Sequence, residues 1–235
     1  MEKNRYFATT SKGLEETLAG EIVAIGGEEI STVTGGVAFS GDPDLGMRAN
    51  LWLRTANRVL RRLADFDAPT PEALYEGVQA IRWPDLFAVS RTIAVDATVR
   101  ESGITHSHFA AQKAKDAIVD AFRNACGTRP DVDRLNAQVR INLRIVRDEA
   151  VLSIDLSGES LNRRGYRTDP AAASLRETLA AGILLLAEYD GERPLVDPAC
   201  GAGTIPIEAA LIASGTAPGL LRDDFGFKNL LDFEP

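Results

Sequence analysis

Cysteine, histidine and methionine are each represented by two residues in this 235-residue chain, and no two prolines are adjacent. Cys126 and Cys200 stand 74 positions apart, which excludes a disulfide framework and predicts reduced thiols. His106 and His108 have no cysteine or carboxylate cluster beside them in sequence, so no tetrahedral metal set is expected and the pair reads as a loop opening a helix. No apolar run reaches the roughly 18 to 20 residues of a membrane helix. The best candidate, 180–187, is flanked by Arg176, Glu177 and Glu188 and reads as a buried helix. The opening Met1-Glu2-Lys3-Asn4-Arg5-Tyr6 lacks the apolar core of a signal peptide, from which a cytoplasmic protein is expected.

What is present is globular in character. Hydrophobic residues make up 45% and charged residues 26%, which excludes collagen-like and wholly disordered classes. The net charge of −8 argues against an electrostatic grip on nucleic acid by the whole molecule. Its distribution is uneven. Residues 1–81 hold 8 Lys and Arg against 12 Asp and Glu, 82–170 hold 14 against 12, and 171–235 hold 4 against 10. Only the middle segment is basic, a pattern compatible with either a nucleic-acid surface or ordinary scatter.

Hydrophobic periodicity divides the chain. The first 66 residues read strand (6–10), helix (11–25), two short strands (29–33 and 37–40) about Gly35-Gly36, helix (43–55) and strand (59–66). This is the order of a split β-α-β, ferredoxin-like unit. A second α/β region opens at Thr70-Pro71, an N-cap followed by proline in the first helical position. Ile93, Val95, Ala97 and Val99 alternate along a strand. Ala110, Ala114, Ala117, Ile118, Ala121 and Phe122 recur at helical spacing, with Lys113 and Lys115 facing out. The run 138–147 alternates Val139, Ile141, Leu143 and Ile145 with Arg140, Asn142 and Arg144, then turns at Asp148-Glu149 into 151–156. The arginine-bearing face of that hairpin is either a solvated sheet face or an RNA surface. Residues 158–170 break both periodicities and read as a connector. A helix (174–189), a short strand (194–197), a glycine turn and a helix from 205 follow.

Strand, glycine turn and helix together let backbone N–H groups and a helix dipole face a ligand. Asp197-Pro198-Ala199-Cys200-Gly201-Ala202-Gly203-Thr204 has this form, with Asp197 at the carboxyl end of the predicted strand. Position 206 is proline, so the dinucleotide pattern G-x-G-x-x-G fails, and no Gly-Lys-Ser/Thr follows to make a P-loop. A cationic ligand with use for an acid, such as S-adenosylmethionine, fits better than a dinucleotide; a purely structural turn is the alternative.

The string 197–210, Asp-Pro-Ala-Cys-Gly-Ala-Gly-Thr-Ile-Pro-Ile-Glu-Ala-Ala, preceded by Arg164-Gly165-Tyr166-Arg167 and by Leu-Arg-Glu-Thr-Leu-Ala-Ala at 175–181, resembles the THUMP-containing RNA guanine-N2 methyltransferases. Within that family the likeness is greatest to the bacterial enzymes acting on 23S ribosomal RNA. It extends to Gly13-Leu-Glu, to Gly77-Val-Gln-Ala-Ile-Arg-Trp and to Lys115-Asp-Ala-Ile-Val-Asp-Ala-Phe, covering nearly the whole chain. The resemblance implies a ferredoxin-like subdomain at 1–66, a THUMP RNA-binding domain at 67–157, the connector at 158–170 and the start of a Rossmann-like methyltransferase domain at 171–235. The fold class is thus α+β in its first half and α/β thereafter. It also implies S-adenosylmethionine as cofactor, held by Asp197, Pro198, Cys200, Gly201, Gly203 and Thr204, with Thr178 near its methionine end. RNA contacts are expected from Lys113, Lys115, Arg140, Arg144, Arg163, Arg164, Tyr166 and Arg167, and 23S ribosomal RNA or a ribosome assembly intermediate as partner. Two related readings stay open, a THUMP enzyme acting on transfer RNA and a non-enzymatic RNA-binding module.

One departure bears on activity. The family's Asn/Asp-Pro-Pro-aromatic motif, which holds the target amine, has no counterpart here, and Asp223-Asp224 follow no convincing second strand. The expectation is therefore an N-terminal portion, catalytically incomplete by itself, binding S-adenosylmethionine weakly or not at all.

Overall fold

The computed structural model describes residues 3–167 and 174–234. They fall into two units: Met1–Val59 with Glu159–Phe225, and Leu60–Gly158 with Gly226–Pro235.

In the first unit, β1 (Asn4–Thr9), α1 (Glu15–Ala24), β2 (Glu28–Val33), β3 (Gly36–Gly41) and α2 (Leu45–Trp52) follow in the predicted order, and the chain then enters β4 (Arg58–Asp67). β3 pairs antiparallel with both β1 and β2, from Asn4 opposite Gly41 to Thr9 opposite Gly36 on one side. Leu18 and Ile22, one turn apart on α1, are both fully buried. Gly35, at a φ of +87°, turns the β2–β3 hairpin, and its N–H donates to the Glu15 carboxylate at 2.9 Å. That bond, with a second from Gly13 N–H, holds the Glu15 carboxyl below the usual range.

The same unit contains α5 (Glu177–Leu186) and α6 (Thr204–Ala213). Both are apolar nearly all round, but only part of that surface is covered: Ile183 and Leu186 of α5 are exposed, and on α6 the buried residues are Thr204, Glu208 and Ala209. Gly182 lets α5 come up against Leu14, since a Cβ there would lie 2.5 Å from a Leu14 methyl. The strand predicted at 194–197 is absent: residues 192–198 form neither strand nor helix, and Val196 is 85% exposed. A strand exists only as part of a ladder, and among the described residues none runs alongside this segment. Pro194 and Pro198 at its two ends also lack the N–H that a ladder needs. The connector's described part, 158–167, is irregular as expected, while residues 168–170 lie outside the described range.

In the second unit, α3 (Pro71–Gln79) starts as its sequence dictates. Thr70 Oγ1 accepts from Ala73 N–H at 3.2 Å, and Pro71 occupies the first turn. β5 (Ile93–Arg100), α4 (Ser107–Cys126) and β6 (Val139–Val146) form a crossover unit, with β5 and β6 parallel from Ile93 opposite Val139 onward. β7 (Glu149–Asp155) returns antiparallel to β6 and pairs with β4, giving the order β4-β7-β6-β5. Arg147 and Asp148, at φ of +50° and +65°, make the two-residue turn between β6 and β7. Val139, Ile141, Leu143 and Ile145 line the covered face of the sheet, together with Ala150, Leu152 and Ile154 of β7. Gly77 of α3 closes on Phe66 of that same face. Residues 226–234 fasten to this unit through Phe227 N–H to Leu156 C=O, Leu231 N–H to Leu86 C=O, and an Arg61–Asp232 ion pair.

Candidate functional site

Gly201 and Gly203 sit at φ of +52° and +72°, the left-handed region open to glycine, and Gly203 is the residue from which α6 starts. Gly203 N–H closes the turn on Cys200 C=O at 2.7 Å, and Asp197 accepts from Ala199 N–H at 3.1 Å. A Cβ at Gly201 or Gly203 would meet nothing closer than 4.0 Å and 3.8 Å, so the backbone of the turn is open to a ligand. Pro198, Cys200 and Gly201 are exposed, Asp197 and Gly203 partly so, and Thr204 is buried. Pro206 explains how a proline fits where a dinucleotide fold has glycine: it lies in the first turn of α6, where the N–H has no intrahelical partner to lose.

Thr178, in the first turn of α5, is buried and donates from Oγ1 to Asn57 Oδ1 at 2.9 Å. Its hydroxyl proton is therefore directed to Asn57.

The connector arginines divide. Arg163 stands on the surface, paired with Glu159 at 3.0 Å. Arg164 is 2% exposed and donates to Leu161 C=O at 2.8 Å and to Arg54 C=O at 2.5 Å. Its Nε stands 3.5 Å from Glu208 Oε1, which accepts from Tyr166 OH at 3.0 Å. Arg167 faces four acceptors: Glu177, Ser174 Oγ, Leu175 C=O at 2.7 Å and Thr204 Oγ1 at 3.0 Å. Burial pushes the Glu208 carboxyl up, opposed by Arg164, Tyr166 and Arg54; burial and the neighbouring Glu208 carboxylate push the Tyr166 phenol up. Arg54 extends the network, donating to Thr216 C=O at 2.9 Å and Leu211 C=O at 3.3 Å, while the N–H groups of Arg54 and Thr55 donate to Glu21 at 2.6 and 3.1 Å.

Sequence reasoning missed Glu21, Arg54, Asn57 and Glu208. A signal for Glu208 was present: it is the sole charge in the helix Thr-Ile-Pro-Ile-Glu-Ala-Ala-Leu-Ile-Ala, and a carboxylate on a helix that apolar must be paired when buried.

In the second unit, Lys113 lies 5.0 Å over the Tyr75 ring and Lys115 pairs with Asp116 on α4. Arg140, half-buried, and Arg144, exposed, alternate with the buried Val139, Ile141, Leu143 and Ile145 and so stand on the opposite face of the sheet, where Ser153 is buried beside Asn142. Arg140 is tied to Leu135 C=O at 2.7 Å and to Asp96 at 3.5 Å. Arg144 is exposed, between Thr98 and Val151 in the strand register. His106 occupies the N-cap position of α4, and no group of three potential metal ligands occurs among the described residues. Nor is any described helix long and apolar enough to cross a membrane.

Comparison with known proteins matches residues 5–60 to the RlmL ferredoxin-like domain, 68–155 to the THUMP domain and 164–233 to the RMKL-like methyltransferase domain. Segment by segment, the chain is thus similar to a THUMP domain and to a methyltransferase domain. Among similar proteins, the ribosomal RNA large subunit methyltransferase K/L of Syntrophotalea carbinolica is 48% identical over 97% of this chain and 32% of its own length. The protein of that name from Methylococcus capsulatus is 47% identical over 94% of this chain and 31% of its own. The chain thus spans about a third of the length of the curated relatives it matches. Of solved structures, SMU.472, crystallised with SAH, superposes with a TM-score of 0.87 at 32% identity, over all of this chain and 62% of that one. A protein from Listeria monocytogenes named as an N6-adenine-specific DNA methylase superposes equally well, at 34% identity over 97% of this chain and 60% of that one.

Proposed function

We propose that this chain supplies the RNA-recruiting module and the first cofactor-binding turn of an S-adenosylmethionine-dependent methyltransferase acting on the exocyclic N2 of a guanine in 23S ribosomal RNA. The observation carrying the proposal is the open left-handed turn at Gly201 and Gly203 running straight into α6, inside the segment matched to a methyltransferase domain. Bound there, S-adenosylmethionine would supply an electrophilic methyl group. The chain's own part is to orient it: the exposed backbone at 200–202 and the positive end of α6 would face the ligand, and the Asp197 carboxylate offers an acceptor to its hydroxyl or ammonium groups. Cys200 serves as a wall of the site and not as a nucleophile, since no described base contacts it.

On the RNA side, Arg144, exposed on its sheet face, with Arg140 beside it on the same strand, are the leading phosphate contacts, with Lys113 and Lys115 as a second strip on α4 and Arg163 on the connector. A cytoplasmic setting accords with two unpaired, exposed thiols.

Ultraviolet crosslinking of tritiated S-adenosylmethionine, with peptide mapping, tests the cofactor assignment. Label on the 197–204 peptide that unlabelled SAH competes away is expected. Label confined to other peptides would remove the assignment. The Listeria neighbour's name points to adenine in DNA, so competition between 23S ribosomal RNA, transfer RNA and duplex DNA decides the substrate class; preference for DNA would overturn the RNA reading.

A further inference from the structure

We propose that Arg167 is the positioning residue of the cofactor turn, a single guanidinium that locks the first residue of α6 to the start of α5. The proposal rests on the reading of 197–204 as an S-adenosylmethionine site and goes beyond it by naming what holds that site in shape.

The turn has little structure of its own. Residues 192–203 include no strand or helix, Pro198 to Ala202 are exposed, and their internal ties are the Gly203–Cys200 and Asp197–Ala199 bonds. The segment is tied at its far end, where Arg193 donates to Glu188 C=O and Gly191 packs on Ala213, and beside the glycines it is joined to Thr204, which sets the direction in which Gly203 presents its backbone. Thr204 is buried, and its hydroxyl accepts from Arg167 Nη2 at 3.0 Å. The same nitrogen donates to Leu175 C=O at 2.7 Å, just ahead of α5, while Nε faces the carboxylate of Glu177, the first residue of α5. Nη1 faces Ser174 Oγ. Four of the five guanidinium N–H groups are thus engaged, and because the group is planar the four acceptors are fixed in one plane.

This geometry assigns different work to the two arginines of Arg164-Gly165-Tyr166-Arg167. Arg164 and Tyr166 act on Glu208, one turn inside α6, and so hold the body of the helix. Arg167 acts on the helix start, where the ligand-facing groups are. Gly165 makes the tight passage between them possible: at a φ of +100° it passes Leu221 C=O so closely that a Cβ would lie 2.2 Å from that oxygen.

Lysine is the discriminating substitution. Arg167→Lys keeps a positive charge against the buried Glu177 carboxylate, so the fold is retained, but one ammonium cannot span Thr204, Leu175 and Glu177 together. Two readouts on the 235-residue chain are needed. Amide exchange at Gly203, Ile207 and Glu208 is expected to speed by about tenfold in Arg167→Lys, as loss of a charge-assisted hydrogen bond implies, with β6 amides of the second unit unchanged. Thr204→Val should reproduce that acceleration, and adding Arg167→Lys to it should add less than about twofold, because both remove the same contact. In an NMR titration with SAH, the shifts of Gly201 and Gly203 should require about tenfold more ligand in Arg167→Lys than in the unaltered chain.

Unchanged exchange at Gly203 and Ile207 overturns the proposal. So does faster exchange with unaltered SAH affinity, which would reduce Arg167 to support of the fold. If the unaltered chain gives no SAH-dependent shift at Gly201 and Gly203 even at the solubility limit of SAH, where weak binding still registers, the cofactor reading itself has failed and the positioning role falls with it, a result distinct from the other two.

Discussion

Glu208 brings the residue-scale physics to a point. Its side chain is fully buried and stands 3.5 Å from an Arg164 side chain that is itself 1% exposed. Removing one partner of such a pair leaves a bare charge in a low dielectric, so Glu208→Ala is expected to destabilise the first unit by about 3 kcal/mol. Glu208→Gln also takes the counter-charge from Arg164 but keeps an oxygen acceptor for Arg164 and Tyr166, so its cost should be smaller, about 1–2 kcal/mol. Urea denaturation followed on first-unit amides separates the two, and equal losses would contradict the assignment. The pH dependence follows the same reasoning. Burial raises the Glu208 and Glu21 carboxyls above their ordinary value of 4.5, so each binds its proton more tightly folded than unfolded. Their contribution to stability is greatest below about pH 4.5 and declines as pH rises toward the folded values. Glu15 and Asp42, held low by N–H donors and by Arg48 respectively, act in the opposite sense and lose their contribution as pH falls. The first unit's urea midpoint, measured upward from pH 4.5, should therefore decline, and the double variant Glu21→Gln, Glu208→Gln should flatten that decline.

At the scale of elements, what could be read from the sequence was what local chemistry decides. Thr70-Pro71 marks a helix start because its cap is made within four residues, and Thr70→Ala should cost about 1 kcal/mol in denaturation of the second unit. The alternation of Val139, Ile141, Leu143 and Ile145 gave β6 and its buried face, because a period of two leaves a strand only one way to sit. The segment 194–197 has the composition of a strand and is not one, since pairing is supplied by a neighbour and not by the segment. Arg164 and Arg167 were equally illegible: an arginine beside tyrosine in a polar tract carries the same composition whether it faces RNA or a buried glutamate. Gly203, by contrast, was visible as a turn residue, and its φ of +72° gives a further expectation. Gly203→Ala forces a side chain into the left-handed region and should cost roughly 1 kcal/mol, with faster amide exchange at Ile207.

On the proposed reading the two units divide the labour, one carrying the glycine turn at 201–203 and the other the sheet face with Arg140 and Arg144. RNA held through phosphates must weaken as salt rises, and replacing Arg140 and Arg144 together by alanine should flatten the slope of log affinity against log salt by about two or less. An unchanged slope would take that face out of the interface.

Both assignments meet in a single measurement, an amide-resolved NMR titration of the chain first with SAH and then with a 23S ribosomal RNA fragment. SAH is expected to move Gly201, Gly203 and Thr204 while leaving β6 in place, and RNA is then expected to move Arg140, Asn142 and Arg144. Shifts from SAH centred on the second unit, or RNA shifts that bypass β6, would contradict the corresponding assignment.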